Sequence, residues 1–280
     1  MLSPDQTALQ KQIISELCVA DTFNVDQEIE KRVTFLADYL LRTRRKALVL
    51  GISGGVDSLV GGCLSQRAVE RVRAAGAEAQ FIAMRLPYGV QKDEADAQAG
   101  LGVICPDRLI TVDIKPASDA MLASVVQGGA EFRDPAHQDF LLGNIKARQR
   151  MIAQFAVGGA YDGIVVGTDH AAEALTGFFT KFGDGAADVT PLTGLSKRRV
   201  RALALRFGAP ESLVYKVPTA DLESLSPLKP DEEAFGLTYD QLDDFLEGKP
   251  VPVDVFEKIV GIYRATAHKR ALPYNPFDTF

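Results

Sequence analysis

Apolar residues along this chain keep two rhythms that alternate. Short, nearly continuous runs of branched or small apolar residues fall at 47–52, 78–86, 109–114 and 162–167. Runs of that length suit strands buried on both faces of a parallel sheet. Between them the spacing turns helical. Ile13, Ile14 and Leu17 share one face of 3–20, and Ile29, Val33, Leu36 and Leu40 share one face of 25–43, with Asn24 or Asp26 placed to cap the second helix. Further helices are predicted from Val56 through 75, with Gly76 as the stop, and at 93–102, 116–126 and 138–158. Two more follow, one opened by Ser196 and one over 252–267. Strand, helix and strand in repeated order predict an α/β fold: a doubly wound parallel sheet with helices on both faces, in one domain over 1–280. The apolar stripes of the N-terminal helices, about 1–45, read first as core contacts and second as part of a dimer interface.

Composition narrows the picture. A hydrophobic content of 46% in 280 residues can fill a sizeable core. No long uncharged apolar run and no basic-then-apolar N-terminus occurs, so neither a membrane span nor a signal peptide is expected, and the protein reads as cytoplasmic. The net charge of −6 argues against nucleic acid as a partner, which needs an excess of Lys and Arg. Cys18, Cys63 and Cys105 are odd in number, widely separated and without C-x-x-C spacing, which argues against a disulfide frame and a zinc site, and they read as buried thiols.

The chemistry concentrates between the first strand and its helix, in Ser53-Gly54-Gly55-Val56-Asp57-Ser58. Two glycines allow a tight turn whose amides point at one anion at a helix N-terminus. The loop lacks the lysine of G-x-x-x-x-G-K-[ST] and is not G-x-G-x-x-G. An aspartate inside a phosphate cradle repels its ligand unless a cation intervenes, so Asp57 predicts Mg²⁺. Arg85 and Gln91 follow the second strand, at the edge where open α/β sheets hold ligands, although Arg85 could simply pair with a surface carboxylate. Thr168 and Glu173 follow the fourth strand. Glu173 can complete the Mg²⁺ site, or serve only as a first-turn acid favoured by the helix dipole, and His170 reads as structural. Lys197 stands in a first helical turn against the dipole, which implies an anion nearby. The basic residues of 138–158 read as a solvated face, 181–188 as a mobile or ligand-hugging loop, and 218–235 as a loop that closes over a site.

The Ser-Gly-Gly-x-Asp-Ser loop resembles that of the N-type ATP pyrophosphatases, which cleave ATP between its α and β phosphates. More specific blocks, Arg-Leu-Pro-Tyr-Gly at 85–89, Gly-Asn-Ile-Lys-Ala-Arg at 143–148, Gly-Thr-Asp-His-Ala-Ala-Glu at 167–173, Lys-Phe-Gly-Asp-Gly at 181–185 and Pro-Leu-Thr-Gly-Leu-Ser-Lys-Arg at 191–198, resemble the ammonia-dependent NAD synthetases. Pro-Thr-Ala-Asp-Leu at 218–222, Leu-Thr-Tyr-Asp at 237–240 and His-Lys-Arg at 268–270 continue the match. It covers nearly the whole chain after about residue 25.

That resemblance implies an adenine-nucleotide alpha hydrolase-like fold and a ligase that amidates deamido-NAD (nicotinic acid adenine dinucleotide). ATP would be held by Gly51, Ile52, Ser53, Gly54, Gly55, Val56, Asp57, Ser58, Arg85, Thr168, Lys197 and Thr219, with Gln91 joining them from the strand edge. Asp57 and Glu173 would carry Mg²⁺, and Asp57, Glu173 and Lys197 would form the catalytic set. Deamido-NAD would meet Arg148, Lys181, Asp188, His268 and Lys269, some across the interface of a homodimer. The chemistry would be adenylation of the nicotinate carboxylate followed by attack of ammonia, with no protein nucleophile. Glutamine-dependent relatives add an amidotransferase domain, for which this chain has no room, so free ammonia or ammonia from a separate partner is the expected donor. Val56 stands where a glutamine is frequent in the family, and 225–235 matches poorly. The competing readings are an ATP pyrophosphatase acting on a tRNA base or a purine, and a non-catalytic nucleotide-binding module.

Overall fold

The computed structural model describes residues 2–89, 94–219 and 230–278. Ser3 and Asn24 cap α1 (Pro4–Glu16) and α2 (Val25–Thr43), each side chain accepting a first-turn amide hydrogen. Strand β1 (Ala47–Gly51) leads into α3 (Val56–Ala74), β2 (Gln80–Arg85), α4 (Glu94–Ile104) and β3 (Arg108–Thr111). The chain then crosses through α5 (Lys115–Gln127) and the long α6 (Pro135–Ala160) to β4 (Gly163–Val165). All pairings are parallel, in the order β3-β2-β1-β4. The prediction of a doubly wound sheet holds.

Alternation along β1 shows why both faces must be covered. Leu48 and Leu50 join α2, α3 and α4 in one core cluster, while Ala47 and Val49 pack with Ile82, Met84 and residues of α6 on the other side. The stripes Ile29–Leu40 and Ile13–Leu17 are buried within the subunit. A third cluster joins α1 to α7 (Ala171–Thr176), α11 (Tyr239–Leu246) and α12 (Val253–Ala265). Between them run α8 (Lys197–Arg206), α9 (Glu211–Val214) and α10 (Asp231–Phe235), and α13 (Ala267–Arg270) follows after a break at Thr266. Because β1 lies between β2 and β4, the chain leaves it in opposite directions, and that reversal opens a crevice at the strands' C-terminal ends.

Three expectations are corrected. The predicted third strand ends at Thr111 rather than 114, because Ile114 has turned to start α5. The fourth shrinks to Gly163–Val165, Val166 bridging to Val189 while its amide donates to the Val49 carbonyl at 2.9 Å. Cys63 is buried, but Cys18 and Cys105 are exposed. Both exposed cysteines sit just beyond helix ends with positive φ, where turn geometry rather than core packing places them. Among the described residues no helix is long and apolar enough to cross a membrane.

The turn before α8 depends on Gly194, at φ +81, where a Cβ would lie 2.4 Å from the carbonyl oxygen of Cys18. Gly76 has a similar φ of +85 with nothing within 4 Å. Denaturant unfolding should therefore show Gly76→Ala costing about 1 kcal/mol, the left-handed penalty alone, and Gly194→Ala about 2–4 kcal/mol, because a backbone clash is added. Equal losses would show that the contact with Cys18 relaxes freely.

Candidate active site

The crevice floor begins where β1 ends. Gly54 takes φ +90 and Gly55 caps α3 with extended backbone and no side-chain hydrogen bond, so the first amides of a 19-residue helix are left for a ligand. Serines brace the turn from within. The Gly55 amide donates to Ser53 Oγ at 3.2 Å, the Ser53 amide to Ser58 Oγ at 3.2 Å, and the Ser58 hydroxyl to the Gly55 carbonyl at 3.0 Å.

In the first turn of α3, Asp57 meets Lys197 from the first turn of α8, Nζ to Oδ2 at 2.7 Å. The anion implied by the misplaced cation is thus a carboxylate of the loop itself. Lys197 is only 2% exposed, and α11 seats its backbone: Asp243 accepts the Lys197 and Arg198 amide hydrogens at 2.9 and 2.7 Å. Burial pushes the Asp243 carboxyl up to about 6 despite these bonds. Burial also opposes charge on Asp57 and on Lys197, but each partner's field prevails, so Asp57 stays below the usual carboxylate range and Lys197 above the usual ammonium range.

The short helix α7 brings the other half. His170 and Glu173 form a reciprocal cap: His170 Nδ1 accepts the Glu173 amide hydrogen and the Glu173 carboxylate accepts that of His170, both at 3.4 Å. The other ring nitrogen, Nε2, lies 3.5 Å from Lys197 Nζ. Nε2 also lies 3.4 Å from Asp57 Oδ1 and 3.7 Å from Glu173 Oε1. Burial lowers His170 to about 3, so the ring is neutral, and burial together with the Asp57 charge raises Glu173 well above the usual range. Potential ligand atoms of Asp57, His170 and Glu173 lie within 4.8 Å of one another, and Asp57 Oδ1 is buried with no hydrogen-bond partner. Two carboxylates, one with an unused oxygen, fit a hard divalent cation such as Mg²⁺. His170 stands between the two acids through Nε2.

The crevice encloses about 300 Å³, and its walls include Ser53, Gly55, Val56, Asp57, Ser58, Arg85, Thr168, Glu173, Lys197 and Thr219. Arg85 donates to the Ile52 carbonyl and pairs with Glu94 at 2.7 Å, so it is both a carboxylate partner and a wall. Sequence reasoning did not single out Gln154, Lys216, Asp184 or Asp231, which also line the crevice, and left Arg150 as part of a solvated face. Arg150 and Gln154 are four residues apart on α6, and Gln154 Oε1 accepts the Gly51 amide hydrogen at 2.8 Å. Helical spacing could have paired them, but not aimed them at β1.

A second cavity, of about 460 Å³, is lined by Arg148, Lys181, His268 and Lys269 with apolar residues of α5 and α6. Arg148 donates to the Lys181 carbonyl at 3.1 Å and Lys181 Nζ to the His268 carbonyl at 2.5 Å. The two cavities adjoin through one turn: Thr180 walls the second, and its amide donates at 3.0 Å to Asp184, which walls the first. Asp188 is apart from both, its carboxylate accepting the Val165 amide hydrogen at 2.8 Å. Gln91 and most of the loop predicted over 218–235, residues 220–229, lie outside the described residues, and the end of that stretch, Asp231–Phe235, is helix α10 rather than loop.

The comparisons with known proteins agree with this geometry. The NAD synthase family model matches residues 28–273. An NH₃-dependent NAD⁺ synthetase of Streptomyces coelicolor is 66% identical over 99% of this chain and 100% of its own length. The crystal structure of NAD⁺ synthetase from Burkholderia pseudomallei superposes with a TM-score of 0.85 at 58% identity, over 98% of this chain and 100% of that one. An NMN synthetase from Francisella tularensis gives 0.79 at 33% identity, over 92% and 100%. A crevice at the sheet's switch point, walled by a glycine turn and by paired acids and a lysine, together with likeness of this extent, shows that the chain belongs to the NAD synthase family of ligases.

Proposed function

We propose that the protein amidates deamido-NAD with ammonia and ATP, giving NAD, AMP and pyrophosphate, in the cytoplasm. The observation that carries this reading is the Lys197–Asp57 pair at the open N-terminus of α3, with Glu173 beside it. A carboxylate cannot expel oxide or hydroxide at neutral pH, so it must first acquire a better leaving group. The nicotinate oxygen attacks the α phosphorus of ATP, the bond to the bridging oxygen of the β phosphate breaks, and pyrophosphate leaves. Ammonia then adds to the acyl carbon, the bond from that carbon to the AMP oxygen breaks, and the nitrogen sheds a proton to leave the carboxamide.

The residues suit these steps. Amides of the 53–58 turn hold phosphate oxygens, and Lys197 and Arg85 offset the charge that grows as the α phosphate is attacked. Asp57 and Glu173 would hold Mg²⁺, which when bound supplies charge neutralisation between phosphates. The second cavity, basic and adjoining the first, gives the far half of a dinucleotide a place with Arg148, Lys181, His268 and Lys269. That feature favours deamido-NAD over the corresponding mononucleotide, the alternative prompted by the NMN synthetase likeness. Asp188 acts through β4. Exposed Met121, Val125, Phe140, Ile152 and Phe155 on α5 and α6 support a homodimer through that face.

Purified protein given Mg²⁺, ATP, ammonium and deamido-NAD should form NAD, AMP and pyrophosphate in equal amounts, and the mononucleotide should be used at least about 100-fold less efficiently, the loss of several buried contacts. Equal use of both would end the dinucleotide assignment. Asp57→Asn and Glu173→Gln should each lower turnover by about 10³-fold or more with the circular dichroism spectrum retained, and should abolish the Mn²⁺ binding seen by electron paramagnetic resonance in the parent protein. Undiminished Mn²⁺ binding would move the cation elsewhere. Sedimentation should give a dimer, and Phe140→Asp together with Phe155→Asp should give monomers.

A further inference from the structure

A buried aromatic ring stands beside the site without entering it. Tyr239, the first residue of α11, is 2% exposed and does not line the crevice. Its ring centroid is 5.0 Å from Lys197 Nζ. Its hydroxyl donates to Asp231 Oδ2 at 3.0 Å and its amide to Glu232 Oε1 at 2.8 Å. The edge-on ring of Phe235, 5.7 Å away, fixes its tilt. Asp231 is itself tied to the crevice wall, its amide donating to the Pro218 carbonyl at 3.1 Å, next to the bridge between Thr219 and Pro230.

Lys197 has a difficulty that this arrangement answers. Its ammonium is held by Asp57, yet the proposed function asks Asp57 to serve a cation and Lys197 to face the α phosphate. Once the carboxylate is shared, the lysine loses much of that restraint, and its four-carbon stem has rotamers to explore. The face of an aromatic ring attracts an ammonium through its quadrupole, most strongly where water is excluded. That attraction persists whichever partner Asp57 has. We infer that Tyr239 is a positioning residue: its ring face keeps Lys197 aimed at the α phosphate when Asp57 turns to the cation, and Asp231 fixes the ring. This inference rests on the role of Lys197 proposed above. A ring serving only as packing would contribute through shape, whereas this role depends on the electron density of its face.

The test replaces Tyr239 by phenylalanine and then by difluoro- and trifluorophenylalanine, which keep nearly the same shape while draining the ring face. Deamido-NAD-dependent exchange of pyrophosphate into ATP and kcat for NAD formation are measured in each. Tyr239→Phe should stay within about fivefold of the parent, fluorination should lower both rates stepwise to about 10- to 30-fold below Phe, and KM for deamido-NAD should stay within about twofold. In a Lys197→Met background the same series should be flat, because the ring would have no ammonium to act on. Rates indifferent to fluorination while Lys197→Met alone lowers exchange 100-fold or more would overturn the role of Tyr239 and leave that of Lys197 standing. Exchange undiminished in Lys197→Met would overturn both, and would do so in the single variant.

Discussion

A buried ion pair organises this protein. Asp57 and Lys197 come from the first turns of two different helices, 140 residues apart, and burying either without its partner is costly. A single desolvated carboxylate or ammonium is strongly disfavoured, and removing either partner leaves the other stranded. The pair therefore obliges α3 and α8 to converge, N-terminus to N-terminus, at the edge of the sheet. The fold supplies what convergence requires: α2, α3 and α8 share one core cluster, and Asp243 of α11 fixes the backbone that carries Lys197.

The groups around that pair suit the proposed ligand, a polyphosphate that brings negative charge and a cation together. Helix α3 leaves its N-terminus without a side-chain cap and α8 carries a lysine where the dipole favours an acid, while His170 and Glu173 cap each other. Asp57 keeps one oxygen without a hydrogen bond, and burial with the charges of Asp57, Asp169 and Asp184 raises the Glu173 carboxyl well above the usual range. A triphosphate with its cation would satisfy the spare oxygen and the open amides together.

What the sequence disclosed and what it hid divide along a physical line. Features encoded by neighbours in the chain were legible: the strand-turn-helix at 47–58, the caps at Asn24 and Ser196, and the alternation that predicts the sheet. Lys197 was legible too, because a cation in a first turn breaks a local rule. Short elements such as β4 and α7 were blurred, since three to six residues carry little periodicity and tertiary pairing sets their ends. Tyr239, Asp231, Gln154 and Asp184 were invisible because their roles exist only after distant segments pack. His170 was read as structural, and it is a cap, but its place between two carboxylates depends on α3 reaching α7. The exposed cysteines were misjudged because composition says nothing about backbone turns.

In the proposed reaction a substrate carboxylate attacks the α phosphorus of ATP within this crevice, and isotope transfer tests that step most directly. Deamido-NAD labelled with ¹⁸O in its carboxylate should be turned over with ammonium, and the products followed by phosphorus NMR. One labelled oxygen in AMP, with none in pyrophosphate, is the predicted result. Label in pyrophosphate, or AMP free of label alongside full conversion to NAD, would contradict the account.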